Sequence, residues 1–106
     1  MSHVVEWAPY TVVEGADEQK VMKAAEAVQR DFLAKQAGFV RRELLRLDER
    51  RWVDLIYWNS RAAADDAMKV AMSHPACSAY FGLMDMDHAD AAAGVTILER
   101  VRSFDT

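Results

Sequence analysis

Alanine is unevenly placed along this chain, and its placement divides the sequence into elements. Of 18 alanines, none falls within 38–61 or 94–106, whereas 16–37 and 62–93 hold nearly all of them. Alanine is the strongest helix former and is scarce in strands. The alanine-free stretches are rich in Val, Leu, Ile, Trp, Tyr and Phe, so strands are expected there. A length of 106 residues leaves room for one domain, 1–106, with one small core. An apolar fraction of 52% with only 4 Gly and 2 Pro argues against a disordered or collagen-like chain.

The first strand is expected at 3–10, through Val4, Val5, Trp7 and Tyr10, with Pro9 at a sheet edge or bulge. Asp17 can cap a helix whose apolar stripe is Val21, Ala25, Val28 and Phe32, with Gly38 as its stop. Strands 39–47 and 52–59 flank Asp48-Glu49-Arg50-Arg51, which reads as a hairpin turn. Ser60 can cap the next helix, which His74-Pro75 interrupts, because the residue before proline avoids the helical region. The apolar stripe then resumes through Ala76, Ala79, Tyr80, Leu83 and Met84, and 95–104 is the last strand. The order β-α-β-β-α-β is the ferredoxin-like motif, an α+β fold with a four-stranded antiparallel sheet and its helices on one face.

Several function classes are disfavoured. The formal net charge of −4 gives no broad footprint for nucleic acid. Arg41, Arg42, Arg46, Arg50 and Arg51 cluster, but Glu43, Asp48, Glu49 and Asp54 are interleaved. Cys77 is the single cysteine, which allows no internal disulfide and no multi-cysteine zinc site. The opening Met1-Ser2-His3-Val4-Val5-Glu6 does not read as a signal peptide, and no apolar run is long enough to span a bilayer. The expectation is a cytoplasmic protein without nucleic-acid or membrane partners. Asp85, Asp87, His88 and Asp90 suggest metal ligands at first sight. A calcium loop starting at Asp85 would need Gly and Glu where Asp90 and Thr96 stand, so no metal site is expected.

Strand patterning bears on assembly. Setting Leu47 opposite Trp52 pairs Leu45 with Asp54, Glu43 with Ile56 and Arg41 with Trp58. Both hairpin faces are then more than half apolar, unlike a sheet with one wet face. Helices in this order cover one face, so a second copy is expected on the other, as a homodimer. A one-residue slip would exchange the faces and leave their two-sided character intact. In this register Arg41, Glu43 and Asp54 share a face. They form either an anion clamp with Asp54 as a base or a salt-bridge network that fixes the register.

The chain resembles the antibiotic biosynthesis monooxygenase (ABM-like) family of dimeric α+β barrels. The resemblance rests on Gly38-Phe39-Val40, Arg42-Glu43-Leu44, Trp52 to Trp58, Ser60 with Ala63, Ala64 and Ala67, His74-Pro75 and Tyr80-Phe81. It implies two sheets closed into a barrel across a homodimer, with a ligand cleft between sheet and helices in each subunit. It also implies a cofactor-independent oxygenase of polycyclic aromatics, needing neither metal nor flavin, or a haem-degrading relative using an Asn, a Trp and a His.

On that reading, Trp58 and Asn59 would supply an indole wall and an amide for an enolate oxygen. The alternative is a core Trp beside a turn-forming Asn. His74 or Asp54 would be the base, although His74 equally suits a backbone cap. Trp7, Trp58 and Tyr80 would wall the pocket, with Arg41 or Asn59 near the oxyanion, and aromatic residues at such positions also serve as plain core. Cys77, three residues after His74, could pair with it, although a buried inert thiol is the simpler expectation. The competing function is a non-catalytic or stress-associated barrel that binds a small apolar ligand.

Overall fold

A computed structural model describes residues 3–85 and 94–106. The chain runs β1 (Val4–Thr11), α1 (Glu18–Asp31), a 3-10 turn (Leu33–Lys35), β2 (Phe39–Arg46), β3 (Arg51–Trp58), α2 (Arg61–Ala71), α3 (Pro75–Phe81) and β4 (Thr96–Glu99). The strands make one antiparallel sheet in the order β2-β3-β1-β4. This is the expected ferredoxin-like arrangement, with the second helical region in two pieces.

The helix starts follow from local chemistry. Asp17 accepts the Gln19 N–H at 2.9 Å, and Ser60 Oγ accepts the Ala63 N–H at 3.1 Å. Both satisfy donors that the first helical turn leaves open. His74 does the same for α3, with Nδ1 accepting the Ala76 N–H at 3.1 Å and Pro75 opening the helix. Pro9 lies where β1 outruns β4, whose pairing stops at Trp7↔Thr96.

Three details differ from expectation. Helix α1 ends at Asp31, and the chain tightens into the 3-10 turn well before Gly38. Gly38 serves a different purpose. Its φ is +85°, and a Cβ there would sit 2.5 Å from both Ala63 Cβ and Asn59 Oδ1. Glycine thus allows the start of α2 to close on the start of β2.

The hairpin register is shifted by one residue. Arg46 faces Trp52, Leu44 faces Asp54 and Arg42 faces Ile56. The cause is Asp48, whose carboxylate accepts the backbone N–H groups of Arg50 and Arg51 at 3.0 and 2.9 Å. That closes a three-residue loop, with the Leu47 N–H bonded to the Arg51 carbonyl at 2.8 Å. Arg41 and Glu43 therefore lie on the face away from Asp54, and the expected Arg41–Glu43–Asp54 set does not form. A bulge at Val40 then turns Phe39 back onto the inner face, edge-on to Trp58 at 5.9 Å between ring centres.

The last strand is shorter than expected. It ends at Glu99, and Val101 and Phe104 beyond it are exposed.

The core lies between the helices and one sheet face. Val4 and Tyr10 of β1 and Trp52, Ile56 and Trp58 of β3 pack against Val21, Ala25 and Val28 of α1, Ala64 and Ala67 of α2, and Cys77 and Tyr80 of α3. The opposite face carries Val5, Trp7, Leu45, Val53, Leu55, Tyr57 and Leu98 in register with Arg41 and Glu43. Trp7, Leu45 and Leu98 are all exposed there.

Candidate active site between the sheet and the helices

A cavity of about 320 Å³ opens between the inner sheet face and the helices, at the lower end of ligand-pocket sizes. Its walls are mostly apolar: Val28 and Phe32 from α1 and its end, Ala67 and Met68 from α2, Cys77 and Phe81 from α3. The floor is different. Glu6, Tyr10, Arg42, Asp54, Trp58 and Tyr80 also line the cavity, all brought there by the alternation of β1, β2 and β3 and by α3.

These floor residues form two hydrogen-bonded groups. In the first, Asp54 receives Arg42 Nε on Oδ1 at 2.7 Å and the Tyr80 hydroxyl on Oδ2 at 2.7 Å. Tyr80 and Tyr10 are also hydrogen-bonded through their hydroxyls. Each phenol has one proton, and Tyr80 gives its own to Asp54, so Tyr10 donates to Tyr80. Arg42 further donates from Nη1 to the Ala25 carbonyl at 2.7 Å, tying β2 to α1, while its buried Nη2 has no partner among the described residues. Burial pushes both phenols far above their ordinary range, with the Asp54 charge adding to the effect, so they remain neutral donors.

In the second group, Trp58 donates its indole N–H to Glu6 Oε1 at 3.0 Å. Glu6 is buried. Burial raises its pKa above the usual carboxylate range, opposed by the Trp58 hydrogen bond and reinforced by the Asp54 charge.

Of the expected site residues, the structure brings Asp54, Trp58 and Tyr80 together at the cavity. Trp7 does not join them, because strand alternation turns it to the other sheet face, where it is exposed. Arg41 is on that face too, pairing with Glu43 at 2.8 Å and lying 4.8 Å from the Tyr57 ring centre. His74 stands outside the cavity lining, with Nδ1 committed to the α3 cap and its ring against Phe32. Asn59 is exposed at the β3 exit, beside Gly38 and Ala63. Cys77 lines the cavity, and burial pushes its thiol pKa up, away from the reactive thiolate.

Sequence reasoning passed over Glu6 and Arg42. The signal was present in β1: Val4, Glu6, Ala8 and Tyr10 alternate onto one face, which puts a carboxylate in an apolar row.

Each of the five clustered arginines meets a carboxylate. Arg46 pairs with Glu18, Arg50 with Asp85 and Arg51 with Asp48, alongside the Arg41 and Arg42 pairs. Among the described residues no group of three or more His, Cys, Asp or Glu side chains could hold a metal ion. Asp85 is the described member of the acidic stretch; Asp87, His88 and Asp90 lie outside the described residues. No helix among the described residues is long and apolar enough to cross a membrane.

No family model and no curated protein sequence matches the chain. Solved structures do. SnoaB, a cofactor-independent oxygenase from Streptomyces nogalater, superposes with a TM-score of 0.71 at 19% identity, over 99% of this chain and 97% of that one. A protein from Bordetella bronchiseptica, proposed to be an antibiotic biosynthesis monooxygenase, gives 0.72 at 14% identity over 98% and 100%. Another so described, from Nitrosomonas europaea, gives 0.58 at 16% identity over 92% and 88%.

The chain shares the fold of these structures. The likeness extends over essentially the whole chain. At these identities the likeness is one of architecture, and the chemistry has to be argued from the cavity.

Proposed function

We propose that the protein is a cofactor-independent monooxygenase acting on a hydrophobic cyclic or aromatic small molecule. The observation that carries this reading is the apolar cavity with buried carboxyl groups and neutral hydroxyls at its floor. The substrate would be a fused-ring ketone with an acidic CH₂ beside its conjugated system. Loss of one C–H proton leaves the electron pair on the substrate as an enolate, which reacts with O₂. The CH₂ carbon then becomes a carbonyl, with one oxygen atom retained and the other released as water.

Within this reading Trp58 and Tyr80 wall the ring system. Asp54, Arg42 and Tyr10 hold the floor rigid, which is the preorganisation such chemistry needs. Trp7, Arg41, Asn59 and His74 stand away from the cavity and take no part. The likeness in fold to SnoaB supports the same reading. Oxygen uptake on an electrode, with anthrone-type ketones as probes, tests it, and consumption above the uncatalysed rate is expected. A flat trace over a panel of such ketones would remove the oxygenase.

One observation favours a second reading. Both Asp54 oxygens already accept a hydrogen bond, from Arg42 and from Tyr80, as in a structural carboxylate, and the cavity would then only bind an apolar ligand. Ligand-induced rises in melting temperature without oxygen uptake distinguish it.

We infer that the working unit is a homodimer paired through the apolar open sheet face, where Trp7, Leu45 and Leu98 are exposed. Light scattering at micromolar concentration checks this, and a lone monomer would count against it. A single buried free thiol suits a reducing compartment, and we place the protein in the cytoplasm.

A further inference from the structure

We propose that Glu6 is the group that takes the substrate proton, and that Asp54 is not. The inference rests on the oxygenase reading above and deepens it by naming the base.

The two carboxylates at the floor have different surroundings. Asp54 has a guanidinium on one oxygen and a phenol on the other. It belongs to a buried ion pair in which both side chains are more than nine-tenths covered. Each of its oxygens already accepts a hydrogen bond, so taking a substrate proton there would mean giving up one of those contacts.

Glu6 has one donor, the Trp58 indole, on Oε1. Among the described residues its Oε2 receives no hydrogen bond and no cation forms a salt bridge with it. It lines the same cavity. A carboxylate in an apolar pocket with one open oxygen has both the lone pair and the proton affinity that a general base needs. Two carboxyl groups on one cavity held by such different partners are a recurring sign of divided roles. The raised pKa of Glu6 agrees with this geometry.

The step balances as a simple transfer. The substrate C–H bond breaks and an O–H bond forms on Glu6 Oε2. The electron pair stays on the substrate, so negative charge moves from Glu6 to the enolate. The Trp58 N–H holds Oε1 throughout and fixes the rotamer that presents Oε2.

Proton removal can be read without oxygen, which separates this proposal from the oxygenase reading. Under argon in D₂O, the protein is expected to speed deuterium exchange at the CH₂ of anthrone, followed by mass spectrometry. Glu6→Gln keeps the shape and an acceptor for Trp58. It should lower that exchange by about a hundredfold or more, while binding of the non-exchanging analogue anthraquinone stays within a fewfold. Glu6→Asp, whose carboxylate is withdrawn by one methylene, should fall between the two and serves if the Gln variant does not fold. The wild-type exchange rate should fall at low pH along one acid limb that lies above the ordinary carboxylate range.

Exchange that depends on Glu6, without oxygen uptake in air, would leave Glu6 as base and end the oxygenase reading. Uptake and exchange that both survive Glu6→Gln and Glu6→Asp would overturn Glu6 and leave the oxygenase standing. No exchange by the wild-type protein would overturn Glu6 as well.

Discussion

Arg42 and Asp54 meet at 2.7 Å across the β2–β3 hairpin, with side chains 7% and 6% exposed. The pair joins β2, β3 and, through Tyr80, α3, and Arg42 also reaches the Ala25 carbonyl of α1. Breaking one side of such a pair leaves an uncompensated charge. Arg42→Met is therefore expected to cost about 3–5 kcal/mol of stability. Adding Asp54→Leu should restore part of the loss. Urea denaturation checks this, and a double variant weaker than the single one would count against the argument.

Glu6 makes the stability of the fold depend on pH. Its folded-state pKa lies above its unfolded value because it is buried. The favourable contribution is complete below about pH 4.3 and is lost as pH rises through the raised folded value. The stability of Glu6→Gln relative to wild type should accordingly increase as pH rises above that point, and level off once Glu6 is ionised. Melting temperatures across pH 4 to 9 give the curve; a difference that does not change with pH would refute the assignment.

The Trp58 indole opposes that shift by donating to Glu6. Trp58→Phe removes the donor, so the pH window over which Glu6 titrates should move upward, with a loss of stability from the vacated volume. The same melting series reads both effects. A window unchanged or moved downward would mean that the hydrogen bond is not made in solution.

Gly15 and Gly38 both have positive φ, +84° and +85°, but only Gly38 has neighbours in the way of a Cβ. Alanine at Gly15 should cost about 1–2 kcal/mol, the backbone term alone. Alanine at Gly38 should cost clearly more, because Ala63 and Asn59 must move apart. Equal losses in urea denaturation would show that the close approach of α2 is loose.

His74 caps a helix of only 7 residues. His74→Ala should cost about 1 kcal/mol, while binding of anthraquinone to the remaining folded protein is unchanged. A large loss of binding would bring His74 back to the site.

Much of this architecture was legible because it is written locally. The alanine blocks, the caps at Asp17 and Ser60 and the His74-Pro75 break each act within a few residues. The hairpin register was not legible in the same way. Four consecutive charged residues, Asp48 to Arg51, can close a loop of three or four, and the choice depends on where the Asp48 carboxylate points. That one-residue difference replaced Arg41 with Arg42 as the partner of Asp54. Glu6 was hidden for a related reason. A lone carboxylate in a strand becomes informative only when its face is known, and the face of β1 is set by packing against helices distant in sequence. Trp7 drew attention by its size, yet it belongs to the other face.

The Tyr10–Tyr80 and Glu6–Trp58 contacts join residues 70 and 52 positions apart. Each requires closure of a long loop before any energy is returned. The cavity floor therefore cannot be assembled early, from neighbouring segments, as a hairpin or single helix can. It forms only when β1, β3 and α3 are already together, so a fragment ending before α3 lacks the hydroxyl that holds Asp54 in place, and its site cannot outlive partial unfolding.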